Sequence, residues 1–154
     1  MRISVATSKA NKEKVLECLS LLGGTVNFSA SVQSFNEDTL REIKRKNLTF
    51  DEYRRIQNDN MSMQTHSSCE MIIPLPEETK DSYLLGVKAG IEANMDIIDT
   101  YTCMMLKNTE LRDAFFVKRF EMETKHRIVP RDFGRYLGRY VIETEEVCVS
   151  TSTM

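Results

Sequence analysis

The strongest constraint in this sequence lies between two prolines, Pro76 and Pro130, where apolar residues recur at helical spacing over a stretch far longer than an ordinary strand. Leu84, Val87, Ile91, Met95, Ile98 and Met105 share one face of a helix, with Tyr101 at its margin, and this period predicts a helix from Pro76 to Leu106. Proline suits a first helical position because its missing donor is not needed there, and Glu77 and Glu78 would face the positive end of the helix dipole. Lys107-Asn108-Thr109 reads as a tight connection in which Asn108 or Thr109 caps a second helix, from Glu110 to about Val129, that Pro130 ends. The expected fold class is therefore mainly α: a helical bundle built on an antiparallel hairpin over 76–129.

The preceding residues read differently. Ile3 and Val5 open a short apolar segment, Val15, Leu19 and Leu22 form a stripe within a helix over Ser8 to Leu22, and Gly23-Gly24 breaks it. Val26, Phe28, Ala30 and Val32 then recur at period two, so a small β-α-β element is expected, with strands over Ile3 to Val5 and Val26 to Val32. Asn36 to Asn47 and Thr49 to Met61 read as two helices or one bent helix, Thr49 and Glu52 having capping-box spacing. Met71-Ile72-Ile73, closed by Pro74 and Pro76, suits a short buried extended piece. Beyond Gly138 the chain leads through Tyr140-Val141-Ile142 into an acidic, then Ser/Thr-rich tail over 143–154 that is expected to fray. A length of 154 residues fits one domain, 1–154, with the hairpin inside 76–140.

Composition removes several function classes. Hydrophobic residues at 41% and charged residues at 29% can support a packed core, so disorder is not expected. A net charge of -2 supplies no field for a polyanion. The basic run Arg41, Lys44, Arg45, Lys46, Arg54 and Arg55 is interrupted by Glu42, Asp51 and Glu52, and nucleic acid is not an expected partner. The start from Met1 to Lys9 lacks the apolar core of a secretory signal, and no apolar run could span a bilayer, which predicts a cytoplasmic protein without membrane partners. Cys18, Cys69, Cys103 and Cys148 are too widely spaced for a local zinc clip and are expected as free thiols.

One constellation could carry metal chemistry. Glu123-x-x-His126 would place a carboxylate and an imidazole within the apolar arc of the second helix, where burial costs several kcal/mol unless the groups are paired or ligate a metal. Glu92 is about as far from the connection on the first helix, so antiparallel packing would bring Glu92, Glu123 and His126 to one level, half the ligand set of a carboxylate-bridged di-iron bundle. Iron or another divalent metal is the cofactor implied. The alternative is no cofactor, with Glu123 paired to a Lys or Arg and His126 satisfied within the core. Glu92, Asp96 and Asp99 read as a solvated acidic face, and Cys103, beside Met104 and Met105, as core rather than nucleophile. Asp132-Phe133-Gly134 spells a kinase triplet without the rest of the kinase motifs, and no catalytic residue is assigned.

Leu84-Leu85-x-x-Lys88-x-Gly90-Ile91, then Asn108-Thr109-Glu110-Leu111-Arg112-Asp113, His126 and the Gly/Tyr-rich end from Gly134 to Tyr140 together resemble the spore-coat protein F family of ferritin-like helical proteins. The resemblance implies a ferritin-like hairpin, often without a metal site. The resulting expectation is a ferritin-like structural or binding protein rather than an enzyme. A homo-oligomer is expected, because two long helices and a short N-terminal unit do not close a four-helix core. The two alternatives are a di-iron-type metal-binding protein and a small regulatory module whose β-α-β element binds a protein partner.

Overall fold

The computed structural model describes residues 3–6, 26–47 and 67–154, with positions 21, 51, 54 and 58. Four strands, β1 (Ile3–Ala6), β2 (Val26–Gln33), β3 (Ser67–Ile73) and β4 (Ile97–Thr102), form a sheet in sequence order. Every neighbouring pair is parallel. Two long strands, β5 (Glu123–Tyr136) and β6 (Arg139–Ser150), make a separate antiparallel ribbon. The described α-helices are short: α1 (Glu37–Glu42), α2 (Lys80–Glu92) and α3 (Ala114–Arg119), with a 3-10 turn over Glu110–Arg112. This is not a helical bundle, and the ferritin-like hairpin over 76–129 does not form. The strands expected near Ile3 to Val5 and Val26 to Val32 are present as β1 and β2, whereas the helices expected over Ser8 to Leu22 and Thr49 to Met61 lie outside the described residues.

The first predicted helix fails at both ends. It begins at Lys80 rather than Pro76, because Thr79 caps it in a reciprocal capping box with Ser82. It ends at Glu92, where Asn94 takes a φ of 58° and bonds its N–H to the carbonyl of Ile91 at 2.9 Å, while Met95 N–H reaches Gly90 O at 3.2 Å. That pair of bonds is a Schellman stop, and it frees Ile97 onward to pair with β3. The helix also buries a different face from the one its apolar period indicates. Gly86 and Gly90 are buried, whereas Leu84 and Ile91 are exposed. A Cβ on Gly86 would lie 2.9 Å from Met71 Cε, and one on Gly90 would lie 2.8 Å from Ile98 Cδ1, so these glycines let α2 sit directly on β3 and β4.

The second predicted helix breaks into three pieces. Asp113 caps α3 by accepting from Phe115 N–H at 2.8 Å, and α3 ends after two turns when Glu121 adopts a φ of 48°. Beyond it Glu123 begins β5. Pro130, expected to stop a helix, falls instead where the β5–β6 register shifts between Ile128 and Phe133, a place where a strand tolerates a missing donor. Leu137 and Gly138, at φ values of 47° and 78°, form the two-residue turn between β5 and β6, as a type I′ hairpin requires. The tail expected to fray continues β6 through Ser150, with Val147 and Cys148 buried.

The base of the ribbon is joined to the sheet. Cys103 N–H donates to Ile73 O at 2.9 Å, Cys148 N–H to Cys103 O at 2.8 Å, and Met105 N–H to Glu146 O at 2.9 Å. Around this seam Leu75, Cys103, Met105, Phe120, Met122 and Cys148 form a core, with Ile43, Ile72, Leu111, Phe116 and Val117 packed against it. Among the described residues no helix is long and apolar enough to cross a membrane.

Candidate active site at the carboxyl ends of the parallel strands

In a parallel β/α array the loops that follow the strands gather at one end of the sheet, where side chains from distant parts of the sequence meet. Here β2 ends on Ser31, Val32 and Gln33. Gln33 has a φ of 67°, and Ser34 N–H donates back to Val32 O at 2.9 Å, the bond of a γ-turn in the rare positive-φ hand. Asn47 fixes the turn from outside, its Nδ2 donating to Val32 O at 2.8 Å and Ser34 O at 2.7 Å. Strained backbone held by such surroundings is concentrated at ligand sites.

Strand alternation sorts β3 into two sets. Ser67, Cys69 and Met71 are buried, and Met71 reaches Gly86 on α2. Ser68, Glu70 and Ile72 therefore face the other side of the sheet. Register places Ser31 and Asp99 on either side of Glu70, and Ser31 Oγ donates to Glu70 Oε2 at 2.7 Å. One residue pair further along, Ile72 stands beside Tyr101. A polar row, Ser31–Glu70–Asp99, thus crosses three strands below Ile72 and Tyr101, and Gln33, which pairs with Met71 beyond a bulge in β2, lies at the same end of the sheet. The Asp99 charge beside Tyr101, helped by burial and then by Glu70, holds its phenol above the usual range. On the opposite face burial, with smaller contributions from Glu70 and Asp99, pushes the Cys69 thiol up to about 12.

Gln33, Glu70, Ile72 and Tyr101 open into a cleft of about 600 Å³. Ile72, Leu75, Leu111 and Phe116 give it an apolar floor, and Gln33, Arg45, Glu70, Tyr101 and Arg127 supply polar groups around it. Arg45 donates from Nη2 to Ser31 O. Arg127, on β5, donates to Glu145 Oε1 at 2.6 Å and to Thr102 Oγ1 at 3.0 Å, closing one wall by tying the ribbon to the end of β4. An apolar floor with a few convergent polar groups is the usual construction of a small-molecule site.

The residues singled out from the sequence lie elsewhere. Glu92 is the last residue of α2, exposed and 3.7 Å from Lys88 Nζ. Glu123 begins β5 opposite Ser150, and His126 stands on β5 opposite Glu146, both exposed. The helical face that was to join Glu123 and His126 does not exist, and among the described residues no group of three His, Cys, Asp or Glu side chains is set to hold a metal. The Glu92–Asp96–Asp99 stripe also divides. Asp96 accepts from Ser67 N–H and Oγ at 2.9 Å each, locking the start of β3, and Asp99 joins the polar row. Cys69, Cys103 and Cys148 are buried and free.

Sequence-adjacent parallel strands lie side by side without reversal, with a cleft at their carboxyl ends, the strand arrangement found in one arc of a β/α barrel. The same fold is found in coproporphyrinogen III oxidase (HemN) from Escherichia coli, a radical SAM enzyme, which superposes with a TM-score of 0.56 at 20% identity over 77% of this chain and 30% of that one. In sequence, 105 residues are 32% identical to the cobalamin-dependent radical SAM methyltransferase TokK of Streptomyces tokunonensis, covering 68% of this chain and 15% of that protein. A further 31% identity over 129 residues links 79% of this chain to 18% of the 2-(S-pantetheinyl)-carbapenam-3-carboxylate methyltransferase of Streptantibioticus cattleyicolor. The chain thus spans less than a fifth of the length of these two relatives. No family model matches the chain. The likeness to radical SAM enzymes overturns both the spore-coat resemblance and the ferritin-like structural role inferred from it.

Proposed function

We propose that this chain forms the nucleoside-binding arc of a radical SAM enzyme of the methyltransferase kind, with S-adenosylmethionine seated at the carboxyl ends of β2, β3 and β4. The observation that carries the reading is the convergence of Gln33, Glu70 and Tyr101 on one cleft from three parallel strands. A carboxylate at a strand end is suited to accept from a ribose hydroxyl, as in dinucleotide-binding α/β sheets. Gln33, on the strained turn that lines the cleft, carries an amide able both to donate to and to accept from the edge of a purine. Tyr101 and the apolar floor supply a surface for the base.

Radical SAM chemistry brings an iron–sulfur cluster besides S-adenosylmethionine, so the iron expected from the sequence agrees with this reading at the level of the element alone. The described cysteines do not fit a cluster. Burial holds Cys69 and Cys103 at about 12 and also raises Cys148, which disfavours the thiolate that iron needs, and the three are spread over separate strands and the seam.

Equilibrium titration of the chain with S-adenosylmethionine tests the proposal. Wild type should bind saturably, and Glu70→Ala should weaken binding about tenfold or more, the loss of a hydrogen bond to a charged group. Equal affinity of the two proteins would overturn it.

A further inference from the structure

The outer half of the β5–β6 ribbon is built to pair with a second copy of itself. Tyr140, Val141 and Ile142 are 83%, 52% and 55% exposed, and on β5 Phe133, opposite Ile142, and Tyr136, opposite Arg139, are 70% and 69% exposed. A two-stranded ribbon with apolar residues on both faces is marginal in water unless more strands extend it. Its two edges are not equivalent. The β5 edge is interrupted by Pro130, which has no N–H to offer, at the register shift between Ile128 and Phe133. The outer edge of β6 is occupied near its base, where Met105 and Cys103 pair with Glu146 and Cys148. From Arg139 to Thr144 it contains no proline or glycine, and among the described residues it makes no backbone hydrogen bond outside the ribbon.

We infer that this edge joins antiparallel to the same edge of a second copy, centred on Val141. The segment Arg139-Tyr140-Val141-Ile142-Glu143 is complementary to itself in that arrangement. Arg139 of each copy stands opposite the partner's Glu143, Tyr140 stands opposite the partner's Ile142, and Val141 meets its own equivalent on the two-fold axis. Opposite charges and aromatic–β-branched pairs are the favourable cross-strand neighbours, and a two-fold axis makes every contact occur twice. Neither Arg139 nor Glu143 has an ion-pair partner among the described residues, so both charges are available. The result is a four-stranded sheet without a free edge at its centre. This inference does not rest on S-adenosylmethionine binding, since the edge lies outside the cleft lining.

Sedimentation velocity of the 154-residue chain across a concentration series tests it. Wild type should show a reversible monomer–dimer equilibrium. Arg139→Glu puts like charges opposite each other twice and should raise the dimer dissociation constant about tenfold or more. Arg139→Glu combined with Glu143→Arg restores opposite signs across the axis and should return the constant to near wild type. Far-UV circular dichroism confirms that each variant keeps its strands. A wild type that stays monomeric throughout, a dimer indifferent to Arg139→Glu, or a double variant no better than the single one would each overturn the inference, including the case in which another segment of a longer protein covers this edge.

Discussion

Lys44, Asn94 and Glu121 hold positive φ angles of 54°, 58° and 48°. Each follows the last turn of a helix, and each is flanked by the two bonds of a Schellman stop: Arg45 to Leu40, Met95 to Gly90 and Met122 to Val117 close the wider loops. Glycine is the residue that normally announces this geometry, and none of the three positions carries it. The helices over 76–106 and 110–129 were therefore legible as apolar period but not as ends, and the sequence reading ran through stops written in Asn and Glu. A left-handed residue with a Cβ costs about 1 kcal/mol. Glu121→Gly should accordingly stabilise the chain and raise its thermal midpoint by about 2–4 °C, as calorimetry would record. The core thiols allow a second test at this scale. Cys103 is pushed up to about 12, by burial first and by neighbouring Cys148 second, against about 8.5 in an unfolded chain. Folding thus favours the protonated thiol, and this stability is complete below about pH 8.5 and is lost as pH rises toward 12. Thermal midpoints should fall across that interval less steeply in Cys103→Ala than in wild type; parallel curves would show that this thiol does not titrate with unfolding.

At the scale of elements, α2 separates apolar period from burial. Leu84 and Ile91 define the helical stripe yet are 53% and 62% exposed, while the sheet is met by Gly86 and Gly90. Small residues were the informative ones, because only they allow the axis to approach the strands. The contrast predicts that Ile91→Asp changes stability by less than about 0.5 kcal/mol, whereas Met122→Asp, 6% exposed within the core at the seam, costs about 3 kcal/mol or more. Urea unfolding of the two variants checks this, and equal losses would restore an interface at Ile91. Strand β1 was legible from the apolar start at Ile3 and Val5, β2 because period two follows a Gly-Gly break, and β3 because Met71-Ile72-Ile73 is closed by Pro74 and Pro76. Strand β4 was not. Ile97-Ile98 and Tyr101 also fit helical spacing, and only the stop at Asn94 decides between the two.

The whole molecule explains why the site was missed. Gln33, Glu70 and Tyr101 have no common motif or spacing, and parallel register alone sets them at one end of one sheet. The available signal was the β-α-β start: had it been continued through Ser67–Ile73 and Ile97–Thr102, the carboxyl ends of the strands would have been the place to look. Glu92, Glu123 and His126 were convergent only on a helical hairpin, and a change of fold disperses them. The most direct measurement of the central claim is a nuclear magnetic resonance titration of isotopically labelled chain with S-adenosylmethionine. Shifts concentrated at Gln33, Glu70 and Tyr101, with His126 and the ribbon tip unmoved, are the predicted result; unchanged spectra at those three residues, or shifts centred on Glu92, Glu123 and His126, would contradict it.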